Sequence, residues 1–418
     1  MTRDTTRARR HILLAAAAGL ILRLAFGFLY WVDKPLTHDE HEYLALARGV
    51  ASGKGFVYDE AHESGTAQRF GRAPAYPLFL AALDAGRPAP AATPARVKVA
   101  QSFVGAATVW LIGLIALHAA GPRGGVWAAA MAAVYPPLVF LPSYALSETL
   151  FSAVALAAAF VLQLAIDRAP ASPQGAARAS LPPALALLGG ALAGTAALVR
   201  PAMLLYLPLA MVWMLVRRRP VVAVAMTLAA TAVITPWTLR NLRVHDRFVL
   251  IASEGGVTFW TGNHPLARGE GDLAANPRLK EAELAFRRAH PGLSPDALEP
   301  LYYRDALAWI AGHPLDWAGL LVRKTFYSVV PAGPSYAVHS VRYRVASVAP
   351  YLLVLPFAVA GVRRLWGSPH RPVSLLLLAA SSILVGLVFF PQERFRMPII
   401  DPVLIISAAA LAGGRPRS

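Results

Sequence analysis

Residues 12–32 read ILLAAAAGLILRLAFGFLYWV, and a polar loop follows at 37–77, THDEHEYLALARGVASGKGFVYDEAHESGTAQRFGRAPAYP. The apolar run is long enough to cross a bilayer, which takes about 20 residues of helix. Arg3, Arg7, Arg9 and Arg10 precede it and mark a cytoplasmic flank. A secretory leader would have an apolar region of about 7–15 residues and then a polar mature domain, so an uncleaved anchor is the better reading. Arg23 lies inside the run, where a charge is costly; it is expected to snorkel or to pair with a carboxylate of the bundle.

The rest of the chain repeats this chemistry. Its 418 residues are 56% hydrophobic and only 15% charged, with mean hydropathy +0.49, whereas soluble domains carry about a quarter charged residues. An all-α polytopic membrane protein is expected. The formal net charge of +17 is carried mainly by arginine. Much of it lies in short loops beside apolar helices, where it sets topology and meets anionic lipid. Membrane lipids are therefore expected partners, and nucleic acid is not. The chain has no cysteine, which excludes disulfides, thiolate metal sites and cysteine nucleophiles.

Further apolar runs at 97–120, 125–141, 145–166, 182–199, 201–216, 221–237, 345–362, 373–390 and 397–412 bring the expected crossings to about ten. With the N-terminus cytoplasmic, the basic turns at 121–124, 167–180, 217–219 and 363–371 share its side, as does the tail with Arg415 and Arg417. The opening loop, the polar stretch 240–345 and Gln392–Arg396 then meet on the outer face. The polar stretch begins with two β-like runs, Phe248–Ala252 and Val257–Trp260, around Ser253–Gly256, so a β-hairpin is expected beside short helices near 282–289 and 301–311. Residues 317–330 are apolar but carry Arg323 and Lys324, which fits an interfacial helix. Three regions are expected: a membrane module over 1–238 that includes the outer loop 33–96, an extracytoplasmic loop over 239–345, and C-terminal membrane helices over 346–418.

The outer loop brings acids and cations to one surface. Asp39 and Glu40 open a helical pattern continued by Tyr43, Leu44, Ala47 and Val50, and a basic-aromatic stretch runs from Arg69 to Tyr76. Arg72, Arg240, Lys324, Arg394 and Arg396 are cations of the same face. Outside the cytoplasm no nucleotide sugar drives synthesis, so an activated sugar must arrive on a lipid carrier. A polyprenyl-phosphate leaving group is already a stable anion and needs cations, while the acceptor hydroxyl needs a carboxylate to take its proton. The residues present match that need.

Several motifs extend the pattern: His38-Asp39-Glu40 with Tyr43, Ala47 and Gly53-Lys54-Gly55-Phe56; Arg72-Ala73-Pro74-Ala75-Tyr76-Pro77; and Ser147-Glu148. Val199-Arg200-Pro201, Pro236-Trp237-Thr238-Leu239-Arg240-Asn241, Gly262-Asn263 and Arg394-Phe395-Arg396-Met397-Pro398 follow. In this order, over nearly the whole chain, they resemble the C-type superfamily of membrane glycosyltransferases, which includes the protein O-mannosyltransferases and the lipid A aminoarabinose transferases. The resemblance implies an inverting transferase of the plasma (inner) membrane. Such an enzyme moves a sugar from a polyprenyl- or dolichyl-phosphate donor to a glycan, lipid or protein acceptor on the extracytoplasmic face. It implies Asp39 as the catalytic carboxylate, with Glu40 beside it, and Arg72 as a donor-phosphate ligand; Arg240, Lys324, Arg394 and Arg396, as cations of the same face, are further candidates for the donor phosphate. Tyr43, Tyr76 and Glu148 are candidates for the sugar or acceptor pocket. Gly71 stands where some relatives carry an acid, and Ala73 where a proline is common. No cofactor is assigned: a divalent metal is compatible with such acids, but no ligand spacing supports one.

Plainer readings exist for each residue. Asp39 and Glu40 also suit a helix N-terminus, where an acid contributes about 0.3–1 kcal/mol. His38, His41, Glu42, His62 and Glu63 lack the spacing of a metal site and read as solvated loop residues. Glu148 either lines the pocket or pairs with Arg23 or Arg200, and Arg240 is either a phosphate ligand or an interfacial anchor. Phe259, Trp260, Tyr302, Tyr303 and Trp309 fit a loop core or an interface belt better than sugar stacking. The alternative function is a transporter or flippase of a lipid-linked substrate, which is expected to show related halves and a midplane site; the sequence displays neither.

Overall fold

A computed structural model describes residues 3–58, 71–169, 181–271, 273–368 and 370–413. The first helix, α1, covers Arg3–Ala25 and continues as a π-helical turn over Phe26–Tyr30. Next come α2 (His38–Ala51), α3 (Ala75–Ala82) and α4 (Ala95–Val134). Gly121 breaks α4 with φ 83° and ψ −176°, so it is two helices end to end, divided at the Gly121-Pro122 turn. Then follow α5 (Pro136–Phe140), α6 (Glu148–Arg168), α7 (Leu181–Val199), α8 (Tyr206–Val216) and α9 (Pro220–His245). The polar stretch holds α10 (Gly255–Gly262), α11 (Pro277–Arg288), α12 (Pro295–Gly312) and α13 (Pro314–Val329). The chain closes with α14 (Val341–Trp366), α15 (Val373–Val388) and α16 (Ile400–Ala409).

Among the described residues six helices are long and apolar enough to cross a membrane, and three shorter apolar ones cover Pro201–Val216, Val373–Val388 and Ile400–Ala412. The chain is a multi-pass membrane protein. The six fall short of the expected ten because α4 joins two expected segments across Gly121 and three further apolar segments form helices shorter than a full span. In the bundle α1 packs on α4, α7 lies between α6 and α9, and α16 contacts both α4 and α14. Gly190 and Gly194 let α7 and α9 touch backbone to backbone: a Cβ at Gly190 would strike the Met226 carbonyl, and one at Gly194 would lie 2.8 Å from the Ala230 carbonyl. Lipid offers no hydrophobic drive for helix pairing, so close approach at small residues supplies it.

Among the described residues Arg23 pairs with no carboxylate. It is buried, and its guanidinium donates to the carbonyls of Gly19 (2.8 Å), Ala133 and Ala132 (3.4 Å each). The last two would normally accept from the N–H groups of residues 136 and 137, but both are prolines. The charge inside α1 thus satisfies two carbonyls that Pro136 and Pro137 leave without a donor.

The expected β-hairpin is absent. Among the described residues β pairing is confined to an isolated antiparallel bridge between Pro35 and Ala92. Residues 257–260 lie in α10 because the Glu299 carboxylate accepts the N–H groups of Gly256 and of Val257 (3.2 Å), capping a helix start where side-chain propensity reads strand. Residues 248–252 form no strand, and their carbonyls are taken by side chains of α9: Trp237 and Asn241 donate to Ile251 (2.9 Å each), and Thr238 to Leu250 (2.8 Å). Trp237, Thr238 and Asn241 therefore pin this segment along the helix. As expected, Trp260 and Tyr302 lie in a loop core, with Leu279, Leu298 and Ala306.

Candidate active site

The site begins where α2 begins. Thr37 caps the helix through a reciprocal box: its hydroxyl accepts from the Glu40 N–H (3.4 Å) and Glu40 Oε2 accepts from the Thr37 N–H (2.9 Å). Glu40 Oε1 accepts from the Thr93 hydroxyl (2.9 Å) and the Ala145 N–H (2.7 Å). At 1% exposure, Glu40 ties three distant segments together and has no face open to a ligand.

Asp39 is engaged by cations. Its Oδ1 accepts from Arg72 Nη2 at 2.6 Å, and its Oδ2 accepts from Arg394 Nη2. Arg72 also donates through Nε to Glu42 Oε2 (2.8 Å), stands 4.0 Å from Glu254 Oε1, and lies over the Tyr43 ring at 5.2 Å. Arg394 Nε is 3.7 Å from Glu148 Oε1, which is also 2.7 Å from Arg200 Nη1; Arg200 in turn lies over the Phe395 ring at 4.8 Å. Four carboxylates (Asp39, Glu42, Glu148, Glu254) and three guanidiniums (Arg72, Arg200, Arg394) thus form one network. Burial pushes the Asp39 carboxyl up, but Arg394 and Arg72 outweigh it and hold the group well below the usual carboxylate range.

Gly71 positions the middle of this network. With φ 130°, its N–H donates to the Ser253 hydroxyl (2.8 Å) and its carbonyl accepts from the Ser253 N–H (3.1 Å). A Cβ here would stand 2.5 Å from the Tyr58 hydroxyl and 3.0 Å from Glu254 Oε1. The space an acidic side chain would need at position 71 is filled by the Glu254 carboxylate, delivered from the start of α10.

The other candidates divide. Tyr43 and Tyr76 meet edge to face at 4.9 Å beneath Arg72; Tyr43 bonds Ser147 (3.2 Å) and Tyr76 donates to Gln101 (3.2 Å). Glu148 pairs with Arg200 and Arg394, while its Oε2 has no partner among the described residues. Glu148 borders a cavity of about 10 Å³ shared with Arg23 and Thr149, room for about one water. Arg240, Lys324 and Arg396 are held in separate contacts. Arg240 stacks on Trp237 and Phe56, Lys324 donates to Asn263 Oδ1 and the Leu387 carbonyl (3.0 Å each), and Arg396 binds Asp401 at 2.5 Å.

Sequence reasoning missed Glu42, Glu254 and Arg200 as members. Glu42 could have been found, since it follows Asp39 by one helical turn and shares its face. Arg200 stands in the Val199-Arg200-Pro201 motif and as a possible partner for Glu148 without a site role, and Glu254 carries no local signal. Asp39, Glu42 and Glu254 are the carboxylates to which a cation could bind, but each faces a guanidinium that already compensates it. The arrangement does not fit a resident divalent metal.

No protein-family model matches the chain, and no curated protein matches it in sequence. Solved structures do. The archaeal oligosaccharyltransferase AglB from Archaeoglobus fulgidus, in complex with an inhibitory peptide and a dolichol-phosphate, superposes with a TM-score of 0.59 at 16% identity. The match covers 97% of this chain and 50% of that one. The same oligosaccharyltransferase tethered to an acceptor peptide gives 0.60 at 15%, over 97% and 49%. ArnT from Cupriavidus metallidurans bound to undecaprenyl phosphate gives 0.40 at 14%, over 96% and 77%. The chain spans about half the length of the oligosaccharyltransferase chains, and it shares their fold.

Proposed function

We propose that the chain is an inverting glycosyltransferase that moves a sugar from a polyprenyl-phosphate donor to an acceptor hydroxyl on the extracytoplasmic side of the plasma membrane. The observation that carries this reading is Asp39 held between Arg72 and Arg394 in a cluster of carboxylates and guanidiniums. The dolichol-phosphate in the oligosaccharyltransferase structure supports a lipid-phosphate donor. With α4 taken as two passes and the three shorter apolar helices included, the chain crosses ten times, and the cluster segments fall on the side opposite the basic turns.

The chemistry follows from the charges. In the paired state Asp39 is a poor base, because two cations stabilise its ionised form. A donor phosphate competes for the same guanidiniums. As Arg72 and Arg394 turn to it, Asp39 loses its counter-charges and gains proton affinity, so donor binding precedes and prepares deprotonation. The acceptor oxygen then attacks the anomeric carbon from the face opposite the phosphate. Its proton passes to Asp39, the bond from the anomeric carbon to the phosphate oxygen breaks, and polyprenyl phosphate leaves with the electron pair, held by the arginines.

The test is release of polyprenyl phosphate from a labelled polyprenyl-phosphate sugar by the purified chain in detergent. Turnover is expected, and Asp39→Asn should lower it by about 10²–10⁴-fold. Translocation of the lipid-linked sugar by reconstituted protein, with no transfer and no dependence on Asp39, would replace this reading with a flippase.

A further inference from the structure

At the other end of α6, far from the arginine cluster, three potential metal ligands meet. Glu148 opens α6 and Asp167 stands one residue before its end; nineteen residues at 1.5 Å each put them about 28 Å apart, close to a bilayer core thickness. His118, near the end of the first half of α4, places Nε2 2.6 Å from Asp167 Oδ2. His370, in the connection between α14 and α15, places Nδ1 3.8 Å from the same oxygen. One ligand atom from each residue lies within 4.8 Å of the others, and the two imidazole rings are 4.9 Å apart.

We infer that His118, Asp167 and His370 form a binding site for a divalent transition-metal ion, with Zn²⁺ the best match to two imidazoles and a carboxylate. Ligand bonds of about 2.0–2.2 Å in a tetrahedron put donor atoms about 3.3 Å apart. The observed separations straddle that value, so small side-chain turns suffice. A cavity of about 10 Å³ adjoins His118 and Phe160. The carboxylate is already oriented: Gln163 donates to Asp167 Oδ1 at 2.8 Å, and Gln163 Oε1 accepts from the Ser374 N–H at 3.1 Å. Such outer hydrogen bonds fix ligands in built metal sites. His370 is 56% exposed at its side chain, which leaves an entry path. Arg168, next in sequence, and Arg219, within Coulombic reach of Asp167, disfavour diffuse cation attraction. Binding therefore rests on direct coordination. The ion ties α4, α6 and the α14–α15 connection at one end of the bundle, and this proposal is independent of the transferase reading.

The probe is Co²⁺ alone, titrated into the full chain in detergent after chelator dialysis and removal of any polyhistidine tag. One equivalent should bind with the visible absorption of a low-coordinate nitrogen–oxygen site, and Zn²⁺ should displace it. His370→Ala removes an exposed ring and is expected to fold, yet should weaken binding by more than tenfold; His118→Ala should do the same. Gln163→Leu, which removes only the outer bond, should cost about 10–100-fold. Absence of saturable Co²⁺ binding overturns the proposal and leaves Asp167 a hydrogen-bond hub. Binding that both histidine variants retain overturns it equally, by placing the ion elsewhere.

Discussion

Asp39 and Glu40 are adjacent carboxylates in different circumstances, and the contrast gives opposed expectations. Asp39→Asn leaves Glu42, Glu148 and Glu254 opposite Arg72, Arg200 and Arg394, three charges of each sign where there were four against three, so the thermal midpoint should move little while turnover collapses. Glu40→Gln weakens the Thr37 box and the bonds to Thr93 and Ala145, and should cost about 1–3 kcal/mol of stability with a smaller loss of turnover per folded molecule. An exchange of these two outcomes would move the catalytic role to Glu40. Lys324 offers a second expectation. Burial lowers its pKa from 10.5 to about 7. Between those values the unfolded chain binds the extra proton, so this group makes stability rise with pH from about 7 to 10.5, and its charging cost is fully present below that window. Unfolding midpoints from pH 7 to 10 should climb less steeply in Lys324→Met; parallel profiles would refute the assignment. Asp39 and Arg72 were legible because both sit in short motifs, and Glu42 was legible by helical spacing. Glu254 was not, since its position depends on Gly71 pairing with Ser253 across 182 residues of sequence.

At the scale of elements, small residues and prolines decide how the helices meet. Gly190→Val would drive a branched side chain into the Met226 backbone and separate α7 from α9. Overpacking typically costs about 1–3 kcal/mol, and backbone-on-backbone contact offers little relief, so a fall in thermal midpoint at that scale or above is expected. A midpoint equal to that of the parent would mean that the two helices do not touch there. Helix existence was readable from apolar length and from the proline pairs, and the Gly190–Gly194 spacing marks the close crossing. The β-hairpin was misread because Glu299, far along the chain, starts a helix at Gly256, and no local window contains that information.

The candidate site exists only when the whole molecule is assembled, since Asp39 and Arg394 are separated by 355 residues. A ligand that binds there should therefore stabilise the entire bundle. Polyprenyl phosphate at 100 times its dissociation constant should add about 2.7 kcal/mol, read as a higher unfolding midpoint without any need for turnover. Arg72→Ala should abolish the shift, and Arg72→Lys should keep part of it, because a point charge replaces a planar fork. An undiminished shift in Arg72→Ala would move the phosphate toward Arg200 and Arg394.

The glycine at position 71 also bears on how this site can change through evolution. A side chain there meets an unfavourable backbone angle, the Tyr58 hydroxyl and the Glu254 carboxylate together. An acid at 71 therefore asks Tyr58 and Glu254 to shift, and displacing Glu254 moves one of the charges that offset Arg72. Lineages that begin from this arrangement are steered toward refining arginine chemistry, and change at 71 is coupled to positions 58 and 254.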